Sequence, residues 1–494
     1  MFRRKKKENT SPHSSTIPNL ARRIPLTTMP INFLRTSILL PLNFKSFLLI
    51  LSLLLNLYLL FYRRHSFVPP PIVISRDTVS TTTRRHLVFA IASSSLSWPK
   101  RRSYVRHWFS PNSTRAFAFL DAPVANESSF LPDMPQVVVS ADTSKFPYTF
   151  KRGLRSAIRV ARVVKEVVDR NEPDVRWYVF GDDDTVFFVD NLVKTLSKYD
   201  HDRWFYIGSN SESYEQNVKN SFQMAFGGGG FAISHSLAKV LSRVLDSCLR
   251  RYSHLYGSDA RIYSCVAELG IGLTYEPGFH QVDLRGALLG LLAAHPLSPL
   301  LSLHHLDIVE PLFPRMNNTQ ALEHLFTAAN VDPHRILQQA VCYDRSNALT
   351  FSVSWGFAIQ VFQGNEFLPD ILPVQRTFTP WNRGRIADAH FMFNLRDYPK
   401  DPCRRPTVFF LKSVTTTRKG IWTNYTGHVV GHCFESNPMK QLKQIGVFAR
   451  KLELDIEQMK APRRQCCDVL PNSEESMNIH IRQCGTNELI SMDH

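Results

Sequence analysis

Three consecutive carboxylates, Asp182, Asp183 and Asp184, follow the apolar run Trp177–Phe180 and one glycine. In extended backbone successive side chains alternate, so Asp182 and Asp184 share one side and Asp183 takes the other. Like charges this close repel, which costs stability unless a cation offsets them. Oxygen ligands suit Mn2+ or Mg2+. Such a cation can bridge to a diphosphate and stabilise its charge as it leaves. A solvated acidic turn is the plain alternative. The preceding apolar strand favours the cation, because ligands of open α/β sheets gather at the carboxyl ends of strands.

Two more stretches carry candidate chemistry. Gly227, Gly228, Gly229 and Gly230 precede the apolar Phe231–Ile233. Glycines let a backbone approach a ligand closely, which makes Gly228, Gly229 and Gly230 candidate donor-binding positions. No Gly-Lys-Ser follows, so this is no phosphate-binding P-loop, and a tight structural turn stays open as a reading. The second stretch is Tyr256-Gly-Ser-Asp259-Ala260-Arg261, followed by Glu268 and by Pro277-Gly-Phe-His280-Gln281. Asp259 can serve as a general base or cap a helix. His280 can complete a metal site or be a plain polar residue. His304 and His305, near Asp307, also suggest a metal. Adjacent residues of an extended segment face opposite ways, so a packing role is expected for them.

The elements that must hold these residues alternate between strand and helix. Strands are predicted at His86–Ala92, Ala116–Leu120, Gln136–Ser140 and Trp177–Phe180. Between 153 and 169 apolar residues recur at helical spacing. A basic helix start carries Lys100, Arg101, Arg102 and Arg106. Alternation of this kind implies an α/β fold with a mostly parallel, doubly covered sheet. Pro333–Gln339 reads as a helix with proline in its first turn. From about Val341 onward short β-like runs recur at Phe351–Gln363, Thr407–Lys412 and Gly427–Cys433. A break near Pro314–Thr319 separates a domain at 86–315 from a mixed, β-rich extension at 316–494.

The chain of 494 residues is 44% hydrophobic, enough for one large or two medium cores, and its formal net charge is +17. Part of that charge is the run Arg3 to Lys7, read as part of a cytoplasmic tail over 1–45 rather than as a nucleic-acid patch. Residues 46–62 contain no charge and are expected to form a transmembrane signal anchor. The excess of Lys and Arg before them favours a cytosolic amino terminus. Residues 63–85, with three consecutive prolines, read as an extended stem. All eight cysteines follow the anchor, which fits disulfides in an oxidising lumen. Glycosylation sequons occur at Asn112, Asn126, Asn317 and Asn424.

The segments VFGDDDTVFF, AFGGGGFAIS, YGSDAR, CVAELG, EPGFHQ, LLSLHHLDIVEPLFP and APRRQCCDV, in this order, resemble the Fringe-like glycosyltransferases of family 31. The likeness is greatest to a plant branch long catalogued as a domain of unknown function, and it covers nearly all of the chain after the stem. The resemblance implies a GT-A fold with a Rossmann-like nucleotide-sugar-binding domain, a type II Golgi membrane topology, and inverting transfer from a UDP-sugar to a glycan or protein hydroxyl, commonly in β-1,3 linkage. It implies Asp182, Asp184 and His280 as holders of Mn2+, with Asp183, Arg102 and Arg106 toward the donor. It also implies a Cys248–Cys265 disulfide. One departure stands out. Relatives usually carry two adjacent acidic residues where this chain has Asp259-Ala260, and the second resembles the position of the catalytic base. Alanine cannot accept a proton, which leaves Asp259 as the candidate base. The alternatives are a non-catalytic nucleotide-sugar- or glycan-binding protein and, from the carboxylate cluster alone, a metal-dependent phosphohydrolase.

Overall fold

The computed structural model describes residues 44–65, 81–125, 131–382, 389–428, 442–473 and 475–490. It divides into two compact units, 1–79 and 80–494. The first unit contributes one helix, α1 (Phe44–His65), whose leucines from Leu48 to Leu57 are exposed, Leu49 to 69%. Among the described residues no helix is long and apolar enough to cross a membrane. The spanning helix expected at 46–62 is therefore not supported. Most of the expected stem lies outside the described residues.

The second unit begins with β1 (Leu87–Ala92), α2 (Trp98–Arg106), β2 (Arg115–Leu120), β3 (Gln136–Val139), α3 (Ser156–Asp169) and β4 (Trp177–Asp182). There follow β5 (Val186–Phe187), α4 (Val189–Leu196), β6 (Tyr206–Gly208), α5 (Tyr214–Lys219), β7 (Phe231–Ser234), α6 (His235–Arg251), α7 (Ser258–Glu268) and β8 (Leu273–Tyr275). The main sheet runs β3-β2-β1-β4-β7-β6-β8. Its pairs are parallel except that β7 lies antiparallel to β4 and β6. Every side chain of β1 is buried, as expected of a strand covered on both faces. The strand predicted to end at Phe180 continues to Asp182, pairing Ala92 with Asp182 across β1 and β4.

Apolar residues of α3, among them Ile158, Val164 and Val167, pack with the inner faces of α6 and α7 on one side of this sheet. The Cys248–Cys265 disulfide joins α6 to α7. The other face shares a core that includes Phe89, Trp177, Leu303, Leu325, Phe351 and Ile479. That core spans both sides of the break near residue 315. The break itself is a helix start. Asn317 accepts from the Gln320 N–H, and Gln320 returns a bond to the Asn317 N–H.

The carboxyl-terminal half forms an eight-stranded sheet between Gln339 and Arg482. The run Phe351–Gln363 is two antiparallel strands, Leu349–Ser354 and Ala358–Gln363, closed by a turn at Gly356. Pro333–Gln339 is not a helix. It makes turns, and Leu337 adopts φ 60°, a left-handed conformation that ends any right-handed helix. Residues 429–433 of the last predicted run lie outside the described residues. Cys342–Cys467 and Cys466–Cys484 are bonded, and no described cysteine is free.

Candidate functional site

Asp182 ends β4 at the carboxyl edge of the parallel strands, and Asp183 and Asp184 form the turn into β5. Thr185 fixes that turn. Its hydroxyl accepts from the Asp182 N–H at 2.8 Å and donates to the Gly228 carbonyl at 2.7 Å. Its own carbonyl accepts from the Trp108 indole. Asp183 turns toward β1, where Ser93 donates to it at 2.7 Å.

Opposite this turn lies a small sheet in which β5 pairs with Ser302–Leu303, which in turn pairs with Phe279–His280. The residue after that central strand is His304. Its Nε2 lies 3.1 Å from Asp184 Oδ1 and 3.9 Å from Asp182 Oδ2. Its Nδ1, 3.2 Å from the Gln281 carbonyl, donates there. Asp182, Asp184 and His304 thus place ligand atoms within 4.8 Å of one another. His304 is buried, and the packing role expected for it is corrected: its ring faces the carboxylates. His280 does not join them. Its ring is buried beside Glu212, Nδ1 3.2 Å from Oε1. Strand register explains this: His280 pairs with Leu303, one residue before His304.

The donor set fits a divalent cation. Two carboxylates and an imidazole converge, and Asp184 Oδ2 is buried without a hydrogen bond. Arg101 Nη1 stands 2.9 Å from that oxygen as an ion-pair partner. Burial lowers the His304 pKa, but the bond to Asp184 and the negative charge around it outweigh burial and push it up to about 9. Burial raises Asp184, yet His304 and Arg101 hold its carboxyl below the usual range. Asp182 is raised by burial and by Asp184 and Asp259, with its side chain still 41% exposed. A second acidic group, Asp200, His201 and Asp202, is a run of neighbours on the surface and lacks a converging element.

The basic residue that reaches the cluster is Arg101, not Arg102 or Arg106. Arg101 contacts Asp184, Asp183 and Asp307, the last at 2.8 Å. Helical spacing places Arg102 and Arg106 about 100° or more around α2 from it, and Arg106 is exposed.

The glycines close against the site rather than opening it. A Cβ at Gly228 would lie 2.1 Å from the His304 ring, so only glycine admits the imidazole. The Gly229 N–H donates to Gln281 Oε1, and a Cβ there would press on the backbone of 280–281. Gly230 adopts φ 86°, in the region that favours glycine.

Asp259 lies in the first turn of α7, with Ser258 Oγ 3.0 Å from Oδ1. A Cβ at Gly227 would come within 2.6 Å of that oxygen. Burial raises its pKa, while the Gly227 N–H and Ser258 oppose the rise. Asp259 and Asp182 line one small pocket beneath the cluster. Sequence reasoning missed Arg101, Glu212 and Asp283 as well. Glu212 also accepts from the Val282 N–H, and Asp283 accepts from Ser211 at 2.6 Å and lies 3.5 Å from His305. These three lie outside any motif, and only the fold brings them in.

A twisted α/β sheet with a carboxylate–imidazole cluster at its carboxyl edge defines a protein with a candidate divalent-cation site. Over residues 216–467 the chain matches the family described as "Protein of unknown function, DUF604", and it belongs to that family. It is 30% identical over 120 residues to the human "Beta-1,3-glucosyltransferase", covering 24% of this chain and 23% of that protein. It is also 30% identical over 145 residues to "Beta-1,3-N-acetylglucosaminyltransferase lunatic fringe" of Xenopus laevis, covering 27% of this chain and 36% of that one. The chain thus spans about a quarter to a third of the length of these relatives. Among solved structures it is similar to a mannosyltransferase from Pyrobaculum calidifontis in complex with GDP-Man and Mn2+, at 11% identity and a TM-score of 0.27 over 41% of this chain and 58% of that one. A glycosyltransferase involved in glycosylation of the major capsid of PBCV-1 matches at 10% identity and a TM-score of 0.27 over 48% of this chain and 97% of that one.

Proposed function

We propose that this chain is an inverting, metal-dependent glycosyltransferase of the Fringe-like, GT-A type. It moves a sugar from a UDP-sugar to a glycan or protein hydroxyl in β-1,3 linkage. The observation that carries the reading is the convergence of Asp182, Asp184 and His304 at the carboxyl edge of the parallel strands. Partial likeness to two β-1,3-glycosyltransferases supports it. Asp182, Asp184 and His304 would hold Mn2+ or Mg2+, which would supply charge stabilisation for a departing diphosphate. Arg101 adds a positive charge at the same edge and is held in place by Asp307. Ser93 fixes Asp183, which orients the turn. Asp259, raised by burial, is the group to accept the proton of the acceptor hydroxyl.

The test is donor turnover by the purified chain with Mn2+ and a panel of UDP-sugars and acceptors. Transfer or slow donor hydrolysis, abolished in Asp184→Ala, is expected. A cation-independent reaction would defeat the reading. A second reading follows from Asp259, whose carboxylate is engaged by Ser258 and the Gly227 N–H, and from Ala260 beside it. On that reading the protein binds the donor without turning it over. UDP binding that needs Mn2+, with no turnover until Ala260→Asp is made, would establish it.

We further infer a Golgi-membrane, type II disposition from the uncharged 46–62 and the basic residues before it. Protease protection of the carboxyl-terminal part in sealed vesicles is the expected result, and digestion without detergent would refute it. Membership of a plant-type branch is part of the same proposal.

A further inference from the structure

A second cavity, of 380 Å³, is walled mainly by the carboxyl-terminal half, with Lys198 and Leu297 to Pro299 contributing from the first half, and shares no lining residue with the carboxylate cluster. Its volume falls in the range of small-ligand pockets, about 300–1,000 Å³. Its wall carries Lys198, which pairs with Glu276, and three arginines of differing character, of which Arg463 is exposed and donates to the Gly485 and Glu488 carbonyls. Arg335 is buried and fully engaged: it bonds Asp332, Gln465 and the Arg450 carbonyl. It is wall material, not a recognition group. Arg464 is different. Its Nη1 donates to the Gln339 carbonyl at 3.0 Å and to Gln339 Oε1 at 2.9 Å. Those neutral acceptors fix the guanidinium, and no described carboxylate pairs with it. Burial alone lowers it to about 10, with no anion lifting it.

A half-buried, oriented and uncompensated guanidinium is costly unless an anion joins it. Arg464 also precedes Cys466, whose bond to Cys484 holds the pocket rim, and the Cys484 Sγ lies 3.4 Å from the Arg464 carbonyl. The two nearby acids do not fill the role. Asp455 is spent capping a short helix, where it accepts from the Glu457 and Gln458 N–H groups, and Glu453 is exposed. The remaining wall mixes amides such as Gln338 with the apolar surfaces of Leu452 and Met459. Amides suit hydroxyls, apolar surfaces suit the C–H face of a sugar ring, and a planar guanidinium suits a carboxylate in bidentate contact.

We propose that this cavity is a second saccharide site, selective for a carboxylate-bearing sugar of the hexuronate class and anchored by Arg464. It requires no transfer chemistry. It goes beyond the proposed activity by giving the β-rich half a role in holding an acidic glycan.

The test uses the full chain, titrated with trigalacturonate by calorimetry, beside neutral galactotriose and inorganic phosphate. Saturable binding of the acidic trimer alone is expected. Arg464→Gln weakens it about tenfold or more, the loss of one charge-assisted contact. Met459→Trp, which narrows the cavity without touching the charge, weakens it too. UDP binding with Mn2+ stays unchanged in both variants, which separates this site from the carboxylate cluster. Absence of saturable binding, equal binding of the neutral trimer or of phosphate, or full affinity in a folded Met459→Trp protein would each overturn the proposal. Should Arg464→Gln fail to fold, the Met459→Trp titration decides the matter.

Discussion

The imidazole of His304 rests where a side chain at residue 228 would otherwise be. That single contact makes Gly228→Ala a sharper probe than removal of the ligand itself. The new methyl displaces the ring, while the buried β7 that follows leaves the fold intact. We expect loss of Mn2+-dependent thermal stabilisation with a melting temperature of the cation-free protein changed by only a few degrees. Residue 283 offers a second probe. Burial raises its carboxyl to about 6, above the unfolded value of about 3.9. The folded state therefore holds its proton more tightly than the unfolded state. Stability falls as pH rises between about 4 and 6, by up to about 3 kcal/mol. Urea denaturation across that interval should show the slope, and Asp283→Asn should flatten it. Of the residues at the cluster, the aspartates were legible because three acids after an apolar strand are an unusual pattern. His304 was visible but misjudged. Alternation says which side of its own strand it faces, but not which strand lies opposite.

Helices α6 and α7 position Asp259, and their covalent tie is the element-scale test. The bond closes a loop of 17 residues. Chain entropy assigns such a loop about 3 kcal/mol. The double replacement Cys248→Ala, Cys265→Ala should lower unfolding free energy by about that amount. If Asp259 acts as the base, kcat should fall further than KM rises, because the first turn of α7 is no longer fixed. Donor kinetics and denaturant titration together check both parts. Most elements of the first half were legible, since hydrophobic runs and helical spacing are local signals. The helix at Pro333–Gln339 was not, because proline in a first turn and a left-handed Leu337 serve a turn equally well. Arg101 was chosen over Arg102 and Arg106 by the facing of α2, a tertiary matter that three basic residues in a row do not reveal.

At the scale of the molecule, the sequence break near residue 315 is no division of the core. Leu87, Leu325 and Ile479 belong to one buried cluster. A fragment ending at residue 315 leaves one side of the main sheet uncovered. We expect it to be insoluble or to lack a cooperative melting transition by circular dichroism, whereas the chain from residue 80 onward melts as one unit. Stable folding of the shorter fragment would contradict this. The extent of that shared core was not legible, because periodicity shows that a strand has an apolar face and not what covers it.

The strand Gln444–Ala449 pairs in parallel with Ser476–Arg482, and Cys342 is bonded to Cys467, 125 residues away. Both contacts need the end of the chain. Synthesis at about 5–20 residues per second delivers that end many seconds after Asp182 has left the ribosome. For that interval the nascent protein carries its acidic edge on an unfinished scaffold. The acidic edge is thus made well before the contacts that complete the sheet of the carboxyl-terminal half.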